Sequence, residues 1–428
     1  MKKKYRIILY TSIFLLCVVA SIILVVKKSN SVYEEESKPK VVKHKSMLSM
    51  NLEQTAGAGD YKTVTQSKWP TEGYKFNAEL SRCENGSTLS WDDTKKAVIV
   101  SGNLSDKCYV YFDIYQPTLA EYIKSQYTGT QGENNIYYHD SDLANGAGDN
   151  SYRYAGANPN NFVCFGSDTS PCPTDNLYRI IGVFGENYHG VTGKQLVKLI
   201  KYDYMTTDEL GTDGDYSQTY KEWGMDSTYK GTYGDGERIG VYYWNYKATG
   251  ISTNTWSTSL LNKTNLNTNF INNIGTTWAN KIATVTWKVG GNTWANISDV
   301  VPATTYQNEI VNPVTTNTTD NATTYSAKIG LMYVSDYGFA ASPDAWTLTM
   351  SSYNNTTAKN NNWMYMGLYE WTISRDADQT NNAFYVYNDG GVGNFDVFNY
   401  GVRASFSLES SVSYVSGSGS MSDPIVIN

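Results

Sequence analysis

Apolar and polar positions divide the chain into one long apolar run near the N-terminus and, further on, many short runs with strand-like alternation. The first run, Ile7 to Val26, contains no charged residue. A helix rises about 1.5 Å per residue, so a run of this length spans the roughly 30 Å hydrocarbon layer of a bilayer. Four basic residues precede it and two follow it. Residues 1–28 are therefore predicted to form a cytoplasmic tip and a single-pass membrane anchor, with residues 29–428 outside the cell.

A cleaved signal peptide is the alternative interpretation, because Ala20 offers a small residue at which such a peptide is cut. Residues 21–26 remain apolar, however, whereas the first residues of a mature exported protein are normally polar. This pattern favours an uncleaved anchor. Cys17 follows Leu16 and not a Gly, Ala or Ser residue, so we interpret it as an apolar position within the anchor and not as a site of lipidation.

Beyond the anchor, the pattern predicts a stalk and then a small β domain. Residues 29–60 mix Lys, Glu and Ser without periodicity, which predicts a flexible, solvated stalk. Short alternating runs over residues 61–115 predict a small antiparallel β domain, which we interpret as a spacer. These runs are Gly73–Phe76, Thr88–Trp91, Ala97–Val100 and Tyr109–Phe112, with turn signals at Asn85-Gly86 and Gly102-Asn103.

Residues 116–428 predict a larger domain that contains both helices and strands. Pro117 opens a short amphipathic helix over residues 118–124, and apolar residues at mostly helical spacing predict a second helix over residues 257–274. Residues 205–250 and 288–326 are polar and predict long loops. Strands are predicted at residues 161–165, 177–184, 195–202 and 329–334, and strands and hairpins from Trp363 to the end, with a turn at Asp389-Gly390-Gly391.

The charge balance bears on the partners. Six of the 34 basic residues and none of the 41 acidic residues lie in residues 1–28, so the remainder carries a net charge of −13. A strongly acidic exterior repels nucleic acid and anionic lipid surfaces. We therefore expect no nucleic-acid partner, and we expect contact with the membrane only through the helix from Ile7 to Val26.

Four cysteines lie beyond the anchor, and an even number in an exported chain predicts disulfides. Of the three connectivities, the sequential one keeps each bridge within one segment and is the one we predict. Zinc binding or redox chemistry is disfavoured, because the chain has no Cys-x-x-Cys and its three histidines do not cluster with the thiols in sequence. The predicted pairs are Cys83 with Cys108 and Cys164 with Cys172.

Motifs of enzymes and of metal sites are absent from the sequence. It has no Gly-x-Ser-x-Gly elbow, no His-Glu-x-x-His and no phosphate-binding Walker loop. Asp213 and Asp215 would suit calcium, but the 12-residue calcium loop is missing, so no metal or other cofactor is predicted. A hydrolase with two carboxylates remains open, although we interpret the candidate acids as solvated loop residues. These acids are Asp226, Asp235, Glu237 and Glu370.

Large aromatic side chains concentrate in the last 66 residues and suggest binding instead of chemistry. Alternation along residues 383–387 sends Phe384 and Val386 to one face of a strand and Tyr385 and Tyr387 to the other. Tyrosine rings recur at interfaces because each adds contact area and loses little side-chain entropy. The candidate ligand-binding residues are Trp363, Tyr365, Tyr385, Tyr387, Asn388, Asp389, Phe395, Phe398 and Tyr400.

The order of several segments resembles C-type-lectin-like domains of bacterial surface proteins, which are related to the formylglycine-generating (sulfatase-modifying-factor) fold. The resemblance covers residues 118–428 and implies an α+β domain in which long loops hang from a twisted antiparallel sheet. It also implies that Arg375 and Arg403 are structural. The segments are Asn176–Phe184, Val197–Ile200, Trp256–Leu261, Ile329–Val334 and the ending from Trp371 through Ser374-Arg375 to Tyr400-Gly-Val-Arg403.

Particular motifs limit what this resemblance implies about chemistry. The oxidase branch of the fold needs cysteines near the C-terminal end, whereas the last cysteine here is Cys172. Calcium-dependent lectins use loop motifs that residues 157–160 and 387–389 match only weakly. One subgroup carries a segment diversified by reverse transcription, and the composition of residues 381–400 fits such a segment as well as an ordinary Asn- and Tyr-rich exported protein.

The sequence thus predicts a membrane-anchored extracellular binding or adhesion protein that recognises a protein or a glycan through its C-terminal loops, and not an enzyme. The alternative is an exported enzyme of the sulfatase-modifying-factor-like fold or a cell-wall hydrolase. A purely structural surface component is a third interpretation. The predicted fold class is a C-type-lectin-like α+β domain preceded by a small all-β domain and an N-terminal transmembrane helix.

Overall fold

A computed structural model describes residues 48–65, 68–71, 73–103, 105–212, 216–219, 239–247, 252–313, 323–397 and 399–428. The chain divides into two compact units, Met1–Tyr115 and Gln116–Asn428. The predicted anchor and the first part of the predicted stalk lie outside the described residues. Among the described residues, no helix combines the length and apolarity that a membrane crossing requires.

The first unit is built from a four-stranded sheet and a hairpin. The sheet has the order β2 (Tyr61–Val64), β1 (Leu48–Glu53), β6 (Cys108–Ile114) and β3 (Tyr74–Cys83), and β4 (Thr88–Asp92) pairs with β5 (Ala97–Ser101). The strands β1 and β6 are parallel and the other pairs are antiparallel, so the prediction of a purely antiparallel domain is wrong for this pair.

The strand β1 lies within the region that the sequence predicted as a stalk, so that prediction is wrong for residues 48–53. Met50 and Leu52 are buried with Val110 and Phe112 in the core of this unit. The carboxylate of Glu53 accepts hydrogen bonds from the backbone N–H groups of Gly59 at 3.0 Å and Ile114 at 2.9 Å. Burial of Met50 and Leu52, which lie two residues apart on one side of β1, therefore stabilises this strand in the sheet although its neighbours in sequence are polar and charged.

The second unit contains two large sheets. A seven-stranded sheet has the order β16 (Ile329–Gly330), β21 (Ser405–Ser407), β11 (Leu196–Lys201), β10 (Leu177–Phe184), β8 (Tyr152–Tyr154) and β7 (Ile136–Tyr138), and β9 (Phe162–Cys164) also pairs with β10. A six-stranded sheet has the order β12 (Tyr216–Thr219), β13 (Gly240–Tyr243), β20 (Asn399–Gly401), β17 (Glu370–Arg375), β18 (Asn382–Val386) and β19 (Val392–Asp396).

Two further hairpin-like pairs and short helices complete this unit. The strand β14 (Val285–Lys288) pairs with β15 (Thr324–Ala327), and β22 (Tyr414–Ser416) pairs with β23 (Val426–Ile427). The helices, which include segments of 3-10 and π type, are Leu119–Ser125, Glu133–Asn135, Thr174–Asn176, Glu186–His189, Thr207–Leu210, Trp256–Thr258, Leu261–Phe270, Ile271–Asn273, Gly275–Ala279, Trp294–Asp299, Pro302–Tyr306, Gln307–Val311, Val334–Ala340, Pro343–Ala345, Met350–Ser352 and Thr356–Asn360.

The predicted fold class is wrong. Among the described residues, 34% lie in strands and 23% in helices, and the strands form several separate sheets instead of one antiparallel sheet with long loops. Part of the polar region 205–250, predicted as a loop, supplies β12 and β13, and Val241 and Tyr242 are buried. In the six-stranded sheet, β17 and β20 are parallel. Polar composition therefore concealed strands that tertiary burial stabilises.

Candidate binding surface

Four tyrosines of the six-stranded sheet form a layer that we call the tyrosine face: Tyr369, Tyr385, Tyr387 and Tyr400. Residues that pair directly across neighbouring strands point to the same side of a sheet, as do residues two apart along a strand. Trp371 pairs with Tyr385, and Tyr385 pairs with Gly393. Trp371, Tyr385 and Gly393 therefore lie on one side of the sheet formed by β17, β18 and β19.

The rings of the tyrosine face contact one another directly. The ring centroid of Tyr385 lies 4.6 Å from that of Tyr387 and 4.5 Å from that of Tyr400. The Tyr369 ring stacks on Tyr400 at 5.3 Å and lies 5.9 Å from Tyr387. Offset and edge contacts at these distances stabilise aromatic clusters beyond the effect of area burial. The four rings consequently hold each other in one arrangement before any ligand arrives.

Trp371 lies on the same side of the sheet as Tyr385 and packs against this layer from the core. The side chain is fully buried, its ring lies 4.6 Å from the Tyr400 ring, and its indole N–H donates to the backbone oxygen of Tyr242 at 2.9 Å. A buried indole that satisfies its donor on the backbone of β13 is a structural element. Trp371 therefore positions the tyrosines and is itself not a contact residue.

Burial of the face is graded from its centre to its rim. Tyr385 is only 3% exposed, whereas Tyr369, Tyr387 and Tyr400 are half-buried. Burial, followed by a hydrogen bond with the Tyr387 hydroxyl, raises the pKa of Tyr385. Burial also raises the pKa of Tyr400 to about 12. These two hydroxyls therefore stay protonated at physiological pH and can donate hydrogen bonds.

Gly393 allows the Tyr387 ring to lie flat across β19. A Cβ atom at position 393 would be 2.4 Å from the Cε2 atom of Tyr387, which is far inside van der Waals contact. Any larger residue would displace this ring. The glycine is therefore required for the close approach between ring and backbone that shapes this edge of the face.

The turn after β18 is held by buried tyrosines. The Tyr365 hydroxyl donates to the backbone oxygen of Asn388 at 2.5 Å, and the Tyr337 hydroxyl donates to that of Gly390 at 2.7 Å. The Asp389 carboxylate accepts from the Gly391 N–H at 3.1 Å. Asn388 is half-buried and Asp389 is exposed at the rim. A loop fixed in this way offers polar groups without a large ordering cost.

The structure separates the predicted binding residues into different roles. Trp363 and Tyr365 are each 1% exposed and Tyr385 is 3% exposed, so these three predicted binding residues lie in the core. The indole N–H of Trp363 donates to the backbone oxygen of Tyr154 at 2.8 Å. Phe395 is 49% exposed and lies two residues after Gly393, on the same side of β19. Phe398 lies outside the described residues.

Sequence reasoning missed Tyr369, although a signal was present. It lies two residues before Trp371, so strand alternation places it on the same side. The prediction overlooked it because β17 was expected to begin at Trp371. Tyr246, which is 43% exposed with its ring 5.1 Å from that of Tyr243, was also missed, because its region was predicted as a loop.

The two arginines that resemble structural positions are buried. The guanidinium of Arg403 donates to the Glu370 carboxylate at 2.8 Å and to the backbone oxygen of Met364 at 2.7 Å. Arg375 is 1% exposed and packs near Gly290. Glu370, which the sequence interpreted as a solvated loop acid, is 2% exposed in this ion pair, so that interpretation is wrong.

Acidic side chains could also serve as catalytic groups or metal ligands, and Asp376 is one whose pKa is raised outside the Arg403–Glu370 ion pair. Burial, followed by a hydrogen bond with Asp378, raises the pKa of Asp376 to about 7, and the Asn394 amide also contacts the Asp376 carboxylate. No group of three or more metal-ligating side chains occurs in the described part of the chain. The remaining candidate acids lie outside the described residues: Asp213, Asp215, Asp226, Asp235 and Glu237.

The predicted disulfides are confirmed. Cys83 and Cys108 pair across β3 and β6, with their Cα atoms 4.0 Å apart. Cys164 and Cys172 close a short loop, with Cα atoms 5.9 Å apart. Each bridge lies within one unit.

No family model, no curated protein and no solved structure matches the chain. The resemblance to C-type-lectin-like domains therefore stays a prediction from the order of sequence segments.

Proposed function

We propose that residues 116–428 form a binding module that recognises an extracellular protein or a glycan through the tyrosine face. The observation that carries the proposal is the layer of mutually contacting tyrosines, three of them half-buried, beside the exposed ring of Phe395. Such a surface supplies apolar ring faces and hydroxyl groups together. Tyrosine is enriched at the centres of interfaces for this reason.

Rigidity of the face supports the same function. Trp371 donates a hydrogen bond to the backbone of β13, and Tyr365 donates one to the turn after β18. Gly393 leaves room for the Tyr387 ring against β19. Binding on a preorganised surface avoids most of the entropy cost of ordering side chains and loops. A small number of rings at the centre of such a surface then contributes most of the binding free energy.

The function is tested by screening the full chain against glycan and protein arrays and by measuring affinity for the strongest component. Tyr387→Ala and Tyr369→Ala are each expected to weaken binding by about 10-fold or more, since truncation of an aromatic residue that contributes to binding costs roughly 1.4 kcal/mol or more. Tyr138→Ala is the matched control, because its half-buried ring stacks on Tyr152 at 4.6 Å in the seven-stranded sheet. Affinity of this variant is expected to stay unchanged.

Two results would contradict the binding function. Equal losses from Tyr138→Ala and Tyr387→Ala would show that the tyrosine face has no special role. Turnover of a cell-wall polymer by the purified protein, unaffected by Tyr387→Ala, would favour the alternative of an exported hydrolase. The Asp376 carboxyl, with its pKa near 7 beside the exposed Asp378, would then be the first group to replace.

We propose an extracellular location for this module, anchored in the membrane by the helix from Ile7 to Val26. The two disulfides support it, because such bridges persist in oxidising compartments and are rare in the cytosol. Protease treatment of intact cells should remove residues 116–428 and leave an N-terminal fragment protected. A full-length chain that survives in intact cells and is cleaved only after lysis would contradict this location.

A further inference from the structure

Lys198 and Asp336 form a buried contact that plays no part in the proposed binding function. Lys198 is a central residue of β11, and Asp336 lies in the helix Val334–Ala340, 138 residues further along the chain. The two side chains are 1% and 0% exposed, and the Lys198 Nζ atom lies 2.7 Å from the Asp336 Oδ2 atom. An amine and a carboxyl are thus held at contact distance in the core.

Aromatic rings exclude water from this contact. The Nζ atom lies 4.9 Å from the ring centroid of Tyr188, 4.9 Å from that of Trp287 and 4.2 Å from that of Tyr333. Burial among these rings lowers the pKa of Lys198, against the attraction of Asp336. Burial of this kind favours the neutral amine, which is the nucleophilic form of lysine.

The Tyr188 hydroxyl connects the two groups. It accepts a hydrogen bond from Lys198 Nζ at 2.7 Å, and it lies 2.6 Å from Asp336 Oδ1 and 2.8 Å from Oδ2, to which it donates. A hydroxyl that contacts both partners can pass a proton from the nitrogen to the departing oxygen. General acid–base catalysis requires hydrogen-bond reach of this kind.

The neighbouring charges remain balanced if the pair reacts. The Arg153 guanidinium is paired with Asp149 at 2.7 Å, and its other terminal nitrogen, Nη1, lies 3.8 Å from Asp336. Glu309 accepts backbone hydrogen bonds from Val334 at 3.1 Å and Ser335 at 3.0 Å, which fixes the start of the Asp336 helix. Because the amide bond would remove one positive and one negative charge together, the net charge of the core would not change, and Arg153 would stay paired with Asp149.

We propose that Lys198 and Asp336 become joined by an intramolecular amide bond that cross-links β11 to the helix Val334–Ala340. The Lys198 amine attacks the Cγ atom of the Asp336 carboxyl group, forming an N–C bond. One C–O bond then breaks, and the oxygen leaves as water with two of the three protons that the amine and the carboxyl group hold between them, relayed through Tyr188, while the third proton stays on the amide nitrogen. The products are one secondary amide and one water molecule, and no oxidant or cofactor takes part.

The short distance between the amine and the carboxyl group, and the exclusion of water from both, favour this reaction over a permanent ion pair. Two reactants fixed at contact distance react with effective concentrations far above those of free molecules in solution. A buried ion pair, in contrast, contributes little net stability, because desolvation of both charges offsets their attraction. The absence of solvent around Nζ also slows the reverse hydrolysis.

The proposal is tested by intact-mass measurement of the full chain after reduction of both disulfides. The expected mass is below that of the sequence by one water molecule, and protease digestion is expected to yield one branched peptide that joins the segments around Lys198 and Asp336. A folded wild-type protein with the full sequence mass would overturn the proposal. This measurement needs no variant, so it remains decisive even where a substitution prevents folding.

Variants identify the bond and its proton relay. Lys198→Arg and Asp336→Ala separately test whether the water loss needs both partners, and each is expected to restore the full mass. Tyr188→Phe is expected to leave a large fraction of uncross-linked chain. Lys201→Ala is the matched control, since Lys201 is a buried lysine of the same strand, 2.9 Å from the Glu209 carboxylate. Water loss that persists in Lys198→Arg would place the dehydration elsewhere and overturn the proposal.

Discussion

At the scale of single residues, the second unit depends on ionisable side chains that are buried with specific partners. Arg403 is held by Glu370, and Glu309 is held by two backbone N–H groups and the Ser374 hydroxyl. Removal of one member of such a set leaves the other buried without compensation, which costs several kcal/mol. These groups also make stability depend on pH.

Glu309 is expected to make the free energy of unfolding depend on pH. Burial raises its pKa from 4.5 to about 7. The folded state therefore keeps a proton that the unfolded chain releases between these values, so the free energy of unfolding should fall as pH rises from about 4.5 to 7, by roughly 3 kcal/mol from this group. Glu309→Gln should remove that fall, measured by urea denaturation at several pH values.

The comparison between the two proteins isolates Glu309. Asp376, whose pKa is also raised to about 7, contributes a fall of the same sign in both proteins and cancels in the difference. Parallel curves of stability against pH for wild type and Glu309→Gln would show that Glu309 titrates at its ordinary pKa.

At the scale of elements, β10 is the strand on which the seven-stranded sheet is assembled. All eight of its residues are buried, and it pairs with β8, β9 and β11. Its register with β11 shifts between Ile180 and Gly182. A bulge at this point bends the strand and brings its backbone close to β8.

Gly182→Ala should therefore destabilise the sheet. A Cβ atom there would lie 2.2 Å from the backbone oxygen of Tyr152, which cannot move without breaking the pairing of β8 with β10. We expect a loss of about 1–3 kcal/mol in the free energy of unfolding. Gly185→Ala is the control, because nothing lies within 4 Å of its Cβ position, and its effect should stay within about 0.5 kcal/mol. Equal effects on thermal unfolding would refute the clash.

At the scale of the whole molecule, each unit has its own core and its own disulfide. Among the described residues, four buried apolar side chains form the core of the first unit, whereas the second unit has two larger clusters. A small core contributes little net stability after chain entropy, so cross-links matter more in such a unit. The disulfide Cys83–Cys108 lies in the unit with the smaller core.

Replacement of Cys83 and Cys108 by serine should unfold the first unit selectively. A cross-link with a sequence separation of 25 contributes roughly 3–4 kcal/mol in the chain-entropy model. Differential scanning calorimetry should show a lowered transition for the first unit and an unchanged one for the second. The same change at Cys164 and Cys172 is the control and should affect only the second unit. A shift of both transitions by either pair would contradict independent stabilisation.

Local features of the fold were predictable because they depend on nearby residues. The capping box that opens the helix Leu119–Ser125 joins Thr118 to Glu121, three residues apart, and the predicted helix start followed from this segment. Alternation along β18 placed Phe384 and Val386 on the side opposite Tyr385, although all three side chains are buried. Both disulfides followed from the number and spacing of cysteines.

What the sequence by itself determined is this local layer of structure: short strands and caps, the disulfide pairs, and the face on which a strand places each tyrosine. Tertiary structure alone decided that β13 joins β20, that Trp363 and Tyr365 are buried, and that Lys198 meets Asp336 across 138 positions. The physical reason is that periodicity records the local backbone, whereas burial and charge pairing depend on which distant segments pack together. A pattern of tyrosines therefore indicates a possible surface, and only the packed sheet selects the rings that a ligand can reach.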